Sequence, residues 1–395
     1  MGEHAVFLSG NYPLVTVLQE ALARDKIEQE KNKGNRLTKT DSLRATSAFI
    51  QIIHKYRDSF VGNDNMPPEH VVIFDEAQRA WTHEMIRKFM STKKGIDNFL
   101  YSEPEFLIST MDRHKDWAVI VCLIGGGQEI NTGEAGLPEW FDSLRRSFLN
   151  WEVYIAPQLD DEEYRFGRSW VDLIAKLNVK ICNGLHLANS VRSFRTPEVP
   201  KFVKSILDCD ITLARSLYVR IFQKFPIFVT RDLKKAKEWI RMKSRGTVRF
   251  GLLASSGALR LKPEGIFVKN EISIADWFLN GKEDVRSSYA LEDVVTEFDI
   301  QGLELDYTVV AWDADFYFDN NTWVYRKFSG SRWHDVRKNE NRMYIKNAYR
   351  VLLTRARQGM VVFVPYGTDA DQTRLSKYYD NTFNYLRQIG IKELP

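Results

Sequence analysis

Two adjacent carboxylates stand out in the sequence because they directly follow a fully apolar run, Val71-Val-Ile-Phe74. They are Asp75 and Glu76. If the run is a strand of a parallel sheet, these side chains lie at its carboxyl end, where functional groups collect. Asp75 could hold Mg²⁺ there, and Glu76 could orient or deprotonate an attacking water, as phosphoryl transfer requires. The pair could also simply begin a helix, since negative charge is favourable at a helix N-terminus.

A glycine-rich turn follows the next long apolar run, residues 117–124. It consists of Gly125-Gly-Gly followed by Gln128. Glycines allow the backbone to turn tightly, and Gln128 would then lie at the end of a neighbouring strand, where an amide can sense a γ-phosphate. Such a turn is usually structural when it occurs alone. Two polar clusters after successive apolar runs instead indicate a phosphate-processing site.

The second half of the chain supplies further candidates. Gln301-Gly302-Leu-Glu304 precedes an apolar strand predicted at 306–312, and Arg355 ends a helix predicted at 346–354. An arginine so placed could stabilise transition-state charge on a γ-phosphate. The competing interpretation of Arg355 is an ordinary surface ion pair.

Short apolar runs alternate with helical patterns along the whole chain. This alternation predicts an α/β fold with parallel sheets. We expect two units of similar size, residues 1–185 and 186–395. The polar and aromatic segment at about 313–342 is predicted to be an irregular insertion in the second unit.

Composition excludes several classes of protein. The 395 residues are 44% hydrophobic and 27% charged, which is typical of a globular protein with two domains. The three cysteines are far apart and lack the spacing of a metal site or a disulfide framework, so a cytoplasmic location is expected. The N-terminus does not resemble a signal peptide, and no apolar run approaches the ~18 residues of a membrane span, so no membrane partner is expected.

Charge is distributed unevenly. The formal net charge is +4, but residues 1–190 carry −5 and residues 191–395 carry +9. Residues 192–262 alone carry +12 and include several aromatic side chains. Such a segment can neutralise phosphates and stack on bases, which makes Arg260 a candidate nucleic-acid contact. A basic surface over an aromatic core would give the same pattern, and charge alone leaves both interpretations open.

Taken in order, these segments resemble the motifs of superfamily-1 helicases. The matching segments are Phe74-Asp75-Glu76-Ala77-Gln78, Gly125-Gly-Gly-Gln128, Ser190-Val191-Arg192-Ser193, Gln301-Gly-Leu-Glu304 and Leu353-Thr-Arg355-Ala356. More closely, the chain resembles a bacterial family of helicase-like ATPases related to the helicase part of Schlafen proteins. That resemblance rests chiefly on residues 125–136, with support from Phe7-Leu-Ser-Gly-Asn11 and Leu252-Leu-Ala-Ser-Ser256.

The resemblance implies two RecA-like domains with ATP and Mg²⁺ between them and nucleic acid across their tops. It makes Asp75 the Mg²⁺ ligand, Glu76 the catalytic carboxylate and Gln128 the γ-phosphate sensor. It also implies that Arg192 and Arg355 are supplied to ATP from the second domain. Gln301, Gly302 and Glu304 would couple the nucleotide to the strand, and Ser9 and Asn11 would contact single-stranded nucleic acid.

One expected segment is missing from the sequence. Superfamily-1 helicases begin with a phosphate-binding loop, Gly-x-x-x-x-Gly-Lys-Ser/Thr, and these 395 residues contain none. In the family this loop lies just upstream of the strand that matches Ala5–Leu8. We therefore expect an N-terminally truncated first domain, from a longer protein with the loop and an upstream nuclease or effector domain. A loop supplied by another chain, or a natural remnant that binds without hydrolysis, are the alternatives.

Three functions remain open from the sequence. The favoured one is an NTP hydrolase: a nucleic-acid-dependent ATPase of helicase or translocase type in DNA processing or defence. It would act on single-stranded or partly duplex nucleic acid, with DNA favoured. The second is a nucleic-acid-binding module that does not hydrolyse ATP. The third is a regulatory ATPase that switches a partner domain.

Overall fold

The computed structural model describes residues 5–125, 136–160, 168–187, 197–243 and 245–395. The chain divides into two compact units, Met1–Ala188 and Asn189–Pro395. Each unit contains a parallel sheet with helices in its crossover connections. This arrangement confirms the predicted α/β fold class with parallel sheets in two units, and the RecA-like assignment of those units stays a prediction.

The sheet of the first unit has four parallel strands in the order β2-β1-β3-β4. These strands are β1 (Ala5–Ser9), β2 (Ile50–Ile52), β3 (Val71–Asp75) and β4 (Val119–Cys122). A separate parallel pair follows, β5 (Glu152–Ile155) and β6 (Asn178–Ile181). Strand β3 buries Val72 and Phe74 on one face, while Val71 and Ile73 on the other face are half-buried.

Helices flank this sheet and share its core. They are α1 (Tyr12–Asn32), α2 (Lys39–Phe49), α3 (Ile53–Phe60), α4 (His83–Phe89), α5 (Glu103–Met111), α6 (Gly136–Ser147) and α7 (Trp170–Ile174). The core joins Val72 and Phe74 of β3 to Leu107 of α5 and Trp140 of α6. Helices α5 and α6 therefore pack directly against β3.

The second unit contains a larger parallel sheet of six strands in the order β15-β7-β14-β10-β8-β9. These are β7 (Ile227–Thr230), β8 (Phe250–Ala254), β9 (Val294–Val295), β10 (Leu305–Ala311), β14 (Ala356–Phe363) and β15 (Lys392–Glu393). The strand predicted at 306–312 is confirmed as β10.

The helices of the second unit complete the layers. They are α8 (Val199–Leu207), α9 (Ile211–Ile221), α10 (Leu233–Lys243), α11 (Ile274–Leu279), α12 (Asn339–Leu353) and α13 (Ser376–Ile389). The core joins Trp239 of α10 to Leu252, Val309 and Val361 of the sheet. Among the described residues, no helix is both long enough and apolar enough to cross a membrane.

The segment at 313–342, predicted to be irregular, is instead largely regular. It forms a three-stranded antiparallel sheet of β11 (Phe316–Asp319), β12 (Thr322–Ser329) and β13 (Arg332–Asp335). Asn320 and Asn321 both adopt positive φ, as a two-residue hairpin turn requires. The prediction was wrong because the aromatic residues of β11 and β12 are buried, with the rings of Phe316 and Trp323 stacked 4.3 Å apart.

A buried ion pair joins two helices of the first unit. Arg57 of α3 and Glu103 of α5 are 1% and 2% exposed, and Nη1 of Arg57 lies 3.0 Å from Oε1 of Glu103. His54 Nδ1 and the N–H of Trp81 also lie within hydrogen-bond distance of the Glu103 carboxylate. Burial alone would raise the pKa of Glu103, but His54 and Arg57 together hold it below its ordinary value.

Replacing Arg57 with leucine should leave the Glu103 carboxylate buried without its guanidinium partner. Removing one member of a buried pair costs about 3–5 kcal/mol, so amides of β3 that exchange through global unfolding should exchange roughly 10²- to 10³-fold faster or more. Hydrogen–deuterium exchange of the full chain measures this. Arg24→Leu, which affects a more exposed pair with Glu20, should change exchange much less. Equal effects would contradict the prediction.

Buried carboxyl groups gather at the carboxyl edge of the second sheet. Asp315 follows β10, is 1% exposed, and accepts hydrogen bonds from Ser255 Oγ and Tyr349 Oη, both at 2.6 Å. Asp313 accepts one from Tyr379 Oη at 2.8 Å, and Glu297 one from Ser256 Oγ at 2.6 Å. Burial, together with the neighbouring charge of Asp313, raises the pKa of Asp315 to about 7.

Stability should therefore fall as the pH rises. The pKa of Asp315 is raised from the ordinary value of 3.8 to about 7. The stabilisation that the protonated side chain contributes to the folded state is therefore complete below pH 3.8 and is lost as the pH rises through about 7. Asp315→Asn keeps a neutral side chain and should reduce the fall in unfolding midpoint between pH 5 and pH 8. Thermal unfolding followed by circular dichroism measures it. Asp335→Asn, at an exposed position, should keep the wild-type pH dependence, and an unchanged slope in Asp315→Asn would contradict the assignment.

Candidate functional site

The carboxyl edge of the first sheet brings together residues from two strands and one loop. Ser9 pairs with Asp75 in the register of β1 and β3, and Phe74 pairs with Cys122 in the register of β3 and β4. All three strands are parallel, so their ends lie at one edge. The structure thus places Asp75 beside Ser9, and the chain from Leu123 to Gly125 leaves from the same edge.

Glu76 adopts a backbone conformation that is uncommon for a residue with a side chain. Its φ and ψ are 54° and 43°, in the left-handed region. Such a conformation costs about 1–3 kcal/mol and is concentrated at functional sites. It turns the chain sharply at the end of β3, immediately after Asp75.

Gln78 holds the Glu76 carboxylate in place. Its Nε2 donates to Oε2 of Glu76 at 2.5 Å, and its Oε1 accepts from the backbone N–H of Gly125 at 3.2 Å. Gln78 is 3% exposed, so this bridge is shielded from water. The amide therefore links the carboxylate after β3 to the glycine-rich turn after β4.

Two further hydrogen bonds connect the turn at Glu76 to the rest of the first unit. The N–H of Ala77 donates to the carbonyl of Leu123 at 2.9 Å, and Trp140 Nε1 donates to the carbonyl of Ala77 at 2.8 Å. Trp140 belongs to α6 and to the core of this unit. Packing in the core is thus what fixes the position of Glu76.

Sequence reasoning gave no role to Gln78. The sequence nevertheless places Gln78 close to the candidate carboxylates, two residues after Glu76 in Asp75-Glu76-Ala77-Gln78. The carboxylates of Asp75 and Glu76 offer oxygen ligands, which hard cations such as Mg²⁺ prefer. These two side chains could hold such a cation, whereas the Ser9 hydroxyl is buried and already accepts a backbone N–H.

Ser9 and Asn11 are buried where β1 passes into α1. Ser9 Oγ accepts the N–H of Asn11 at 3.1 Å, and Asn11 Oδ1 accepts the N–H of Leu14 at 3.2 Å as the N-cap of α1. Ser9 is 0% and Asn11 is 3% exposed. The structure gives both side chains a capping role, and their contact with nucleic acid stays a prediction.

In the second unit, the candidate residues lie at the amino edge of the sheet. Gln301, Gly302 and Glu304 directly precede β10, with Gly302 at a φ of +74°. The N–H of Leu305 donates to the carbonyl of Arg355 at 3.0 Å. This bond joins the Gln301–Glu304 loop to Arg355 at the start of β14.

Arg355 lies between helix and strand, not within a helix. Helix α12 ends at Leu353 and β14 begins at Ala356. The Arg355 side chain is 3% exposed, and its Nε donates to the carbonyl of Val351 at 3.1 Å. Burial overturns the alternative of a surface ion pair for Arg355. Glu304, by contrast, forms a longer ion pair with Arg357 at 3.8 Å.

Arg260 is held by its own unit. Its Nε donates to Thr373 Oγ1 at 2.7 Å and its Nη2 to Asp371 at 2.8 Å, while its guanidinium lies over the ring of Phe328. The structure does not bring Arg260 to the Gln301–Glu304 loop, since it follows β8 at the opposite edge of the sheet. Two other candidates, Gln128 and Arg192, lie outside the described residues.

A family model matches most of the chain. The family model of the Schlafen group 3 DNA/RNA helicase domain matches residues 1–366. Among solved structures, the chain is similar to the Pyrococcus furiosus Hef helicase domain at 10% identity and a TM-score of 0.25, covering 94% of this chain and 88% of that one. It is also similar to a variant of S. cerevisiae Dbp5 bound to RNA and ADP BeF3, at 11% identity and a TM-score of 0.24, covering 99% and 76%. The curated proteins contain no match.

The family model spans both units and includes every candidate residue named above. It covers the Asp75–Gln78 turn in the first unit and the Gln301–Glu304 loop with Arg355 in the second. The match is far longer than half of the chain. The chain therefore belongs to the family of Schlafen group 3 DNA/RNA helicase domains.

Proposed function

We propose that this chain is the body of a nucleic-acid-dependent ATPase of helicase or translocase type. The observation that supports the proposal is the fixed position of Glu76. Its backbone is strained, and its carboxylate accepts a hydrogen bond from Gln78, which in turn accepts the N–H of Gly125. The carboxylate lies beside Asp75 at the carboxyl edge of a parallel sheet. Ordinary helix initiation requires neither the positive φ of Glu76 nor the buried amide bridge.

Each residue of the first unit has a role in this proposal. Asp75 would hold Mg²⁺, which when bound with ATP neutralises charge on the phosphates. Glu76 would orient or deprotonate the attacking water, and the Gln78 bridge would keep one carboxylate oxygen occupied so that the other faces the water. Gln128 would sense the γ-phosphate.

The second unit would supply positive charge and coupling. Arg355 and Arg192 would approach the γ-phosphate, and Gln301, Gly302 and Glu304 would transmit the state of the nucleotide. Arg355 now donates to the carbonyl of Val351, so it would exchange this bond for a phosphate oxygen. The burial of Arg355 beside the Gln301–Glu304 loop supports this role. The hydrogen bond between the Leu305 N–H and the Arg355 carbonyl would transmit a movement of Arg355 to the loop.

Hydrolysis should depend on Glu76. In the full-length protein, Glu76→Gln should lower the turnover of ATP stimulated by single-stranded nucleic acid by 10²-fold or more, because the water loses its base. Release of inorganic phosphate measures turnover, with and without DNA or RNA. Glu84→Gln changes an exposed carboxylate of the same unit and should leave turnover unchanged.

The outcomes separate the candidate functions. Full activity of Glu76→Gln would overturn the assignment of the catalytic carboxylate. ATP hydrolysis that depends on Glu76 but does not change when nucleic acid is added would favour a regulatory ATPase switch. Nucleic-acid binding without hydrolysis in the full-length protein would favour the binding module, a candidate raised by the lack of Gly-x-x-x-x-Gly-Lys in these 395 residues.

The basic part of the second unit is a candidate surface for the nucleic acid. Helix α10 exposes Lys234, Lys235, Arg241 and Lys243. Lys234 and Lys235 follow the N-cap Asp232, which accepts their backbone N–H groups and leaves the side chains in solvent. Trp239 and Ile240 of the same helix are buried. The aromatic residue here is thus core, while the charged face remains available to phosphates.

Replacing Lys234 and Lys235 with glutamine should weaken the binding of single-stranded nucleic acid and flatten its salt dependence. Each phosphate contact contributes about 0.7 to the slope of log K against log salt, so the slope should fall by roughly 1 to 1.4. Fluorescence anisotropy with labelled DNA and RNA at several salt concentrations measures it. Lys26 and Lys31, exposed on α1 of the acidic first unit, provide a charge-matched control. An equal loss in both double variants would contradict a localised surface.

A further inference from the structure

Three potential metal ligands lie at the amino edge of the first sheet, away from Asp75. His70 directly precedes β3, while His114 and Asp116 lie in the connection from α5 to β4. Val71 pairs with Val119 in the register of β3 and β4, so these two connections begin their strands side by side. One ligand atom from each residue lies within 4.8 Å of the other two.

Backbone carbonyls orient both histidine rings. Nε2 of His114 lies 3.0 Å from the carbonyl oxygen of Glu69, and Nδ1 of His70 lies 2.8 Å from that of Trp117. Carbonyl oxygens only accept, so each of these nitrogens carries the proton in the neutral ring. The lone pairs are therefore on Nδ1 of His114 and Nε2 of His70. A ring held in this way by a backbone carbonyl is characteristic of metal-binding histidines.

The lone pair of His114 has no protein partner. Its Nδ1 is buried and accepts no hydrogen bond within the described residues, and the residue is only 9% exposed. The His70 and His114 rings lie 4.0 Å apart, and His70 also contacts the Trp117 ring at 4.6 Å. Ring packing accounts for these contacts but leaves the buried nitrogen unsatisfied, which is costly.

We propose that His70, His114 and Asp116 bind a divalent transition-metal ion, Zn²⁺ first among them. Two imidazoles and one carboxylate are a Zn²⁺ ligand set that leaves a position for water. Mg²⁺ and Ca²⁺ prefer sites made only of oxygen ligands. The side chain of Asp116 is 66% exposed, so an ion can enter from solvent on that side.

Backbone groups hold the Asp116 carboxylate in place. Hydrogen bonds from the backbone N–H groups of Trp117 and Asp116 keep the pKa of Asp116 below its ordinary value. Cys122 is not part of the cluster, because it pairs with Phe74 at the opposite end of β4.

The bound ion would act as a cross-link. It would join the start of β3 to the connection before β4, about 16 Å along β3 from Asp75 at ~3.3 Å per residue. Binding would therefore stabilise the first unit without occupying the phosphate edge. The expected effect is on stability, independently of ATP hydrolysis.

Metal binding by the full 395-residue chain tests the proposal. After chelator treatment, Zn²⁺ is titrated in competition with a chromophoric chelator, and Co²⁺ is titrated with its visible absorbance recorded. One ion per chain should bind, and a Zn²⁺ concentration of a hundred times Kd should raise the unfolding midpoint by roughly 5 °C or more. Asp116→Asn should weaken binding at least tenfold, and His70→Gln more, with loss of the Co²⁺ absorbance.

Matched controls decide the outcome. Asp64→Asn and His186→Gln change exposed residues of the same unit and should bind Zn²⁺ as the wild type does. Because Asp116 is exposed, its variant keeps the test valid even where a His114 variant fails to fold; circular dichroism checks this. Failure of the wild type to bind Zn²⁺, or equal affinity in Asp116→Asn and Asp64→Asn, would overturn the proposal.

Discussion

The parallel register of β1, β3 and β4 is the constraint on which the rest of the first unit depends. It sets Ser9 against Asp75 and Phe74 against Cys122. A shift of one residue would reverse the face to which each side chain points. The core contacts of Val72 and Phe74 with α5 and α6 prevent such a shift. Burial of apolar side chains therefore determines where the polar side chains at the strand ends meet.

The same packing sustains the strained turn at Glu76. A left-handed glutamate is unfavourable by itself, yet three contacts oppose its relaxation: the Gln78 bridge, the Ala77–Leu123 backbone bond and the bond from Trp140. Two of these contacts connect the turn to the segment after β4, and the third connects it to α6. A carboxylate held this rigidly loses little further freedom when a ligand binds, which is the advantage of preorganisation.

Much of this architecture was predictable from the sequence because it follows from short-range patterns. The apolar run 71–74 predicts a buried strand, and the two carboxylates after it predict a polar strand end. The bridge from Gln78 to Gly125 was not predictable, since 47 residues separate the partners and only the folded sheet brings them together. The antiparallel sheet was missed for a similar reason: its aromatic side chains find their partners on distant helices, as Tyr385 of α13 does with Phe318 at 4.0 Å.

The two edges of the second sheet differ in a way that bears on function. At the carboxyl edge, Asp313, Asp315 and Glu297 are buried and hydrogen-bonded to hydroxyl groups. Burial raises the pKa of each of these carboxyl groups, so burial makes negative charge in this cluster unfavourable. At the amino edge, a backbone bond joins Leu305, directly after the Gln301–Glu304 loop, to Arg355. A positive side chain connected in this way to a glycine-containing loop is suited to respond to an anionic ligand, which supports the role proposed for Arg355.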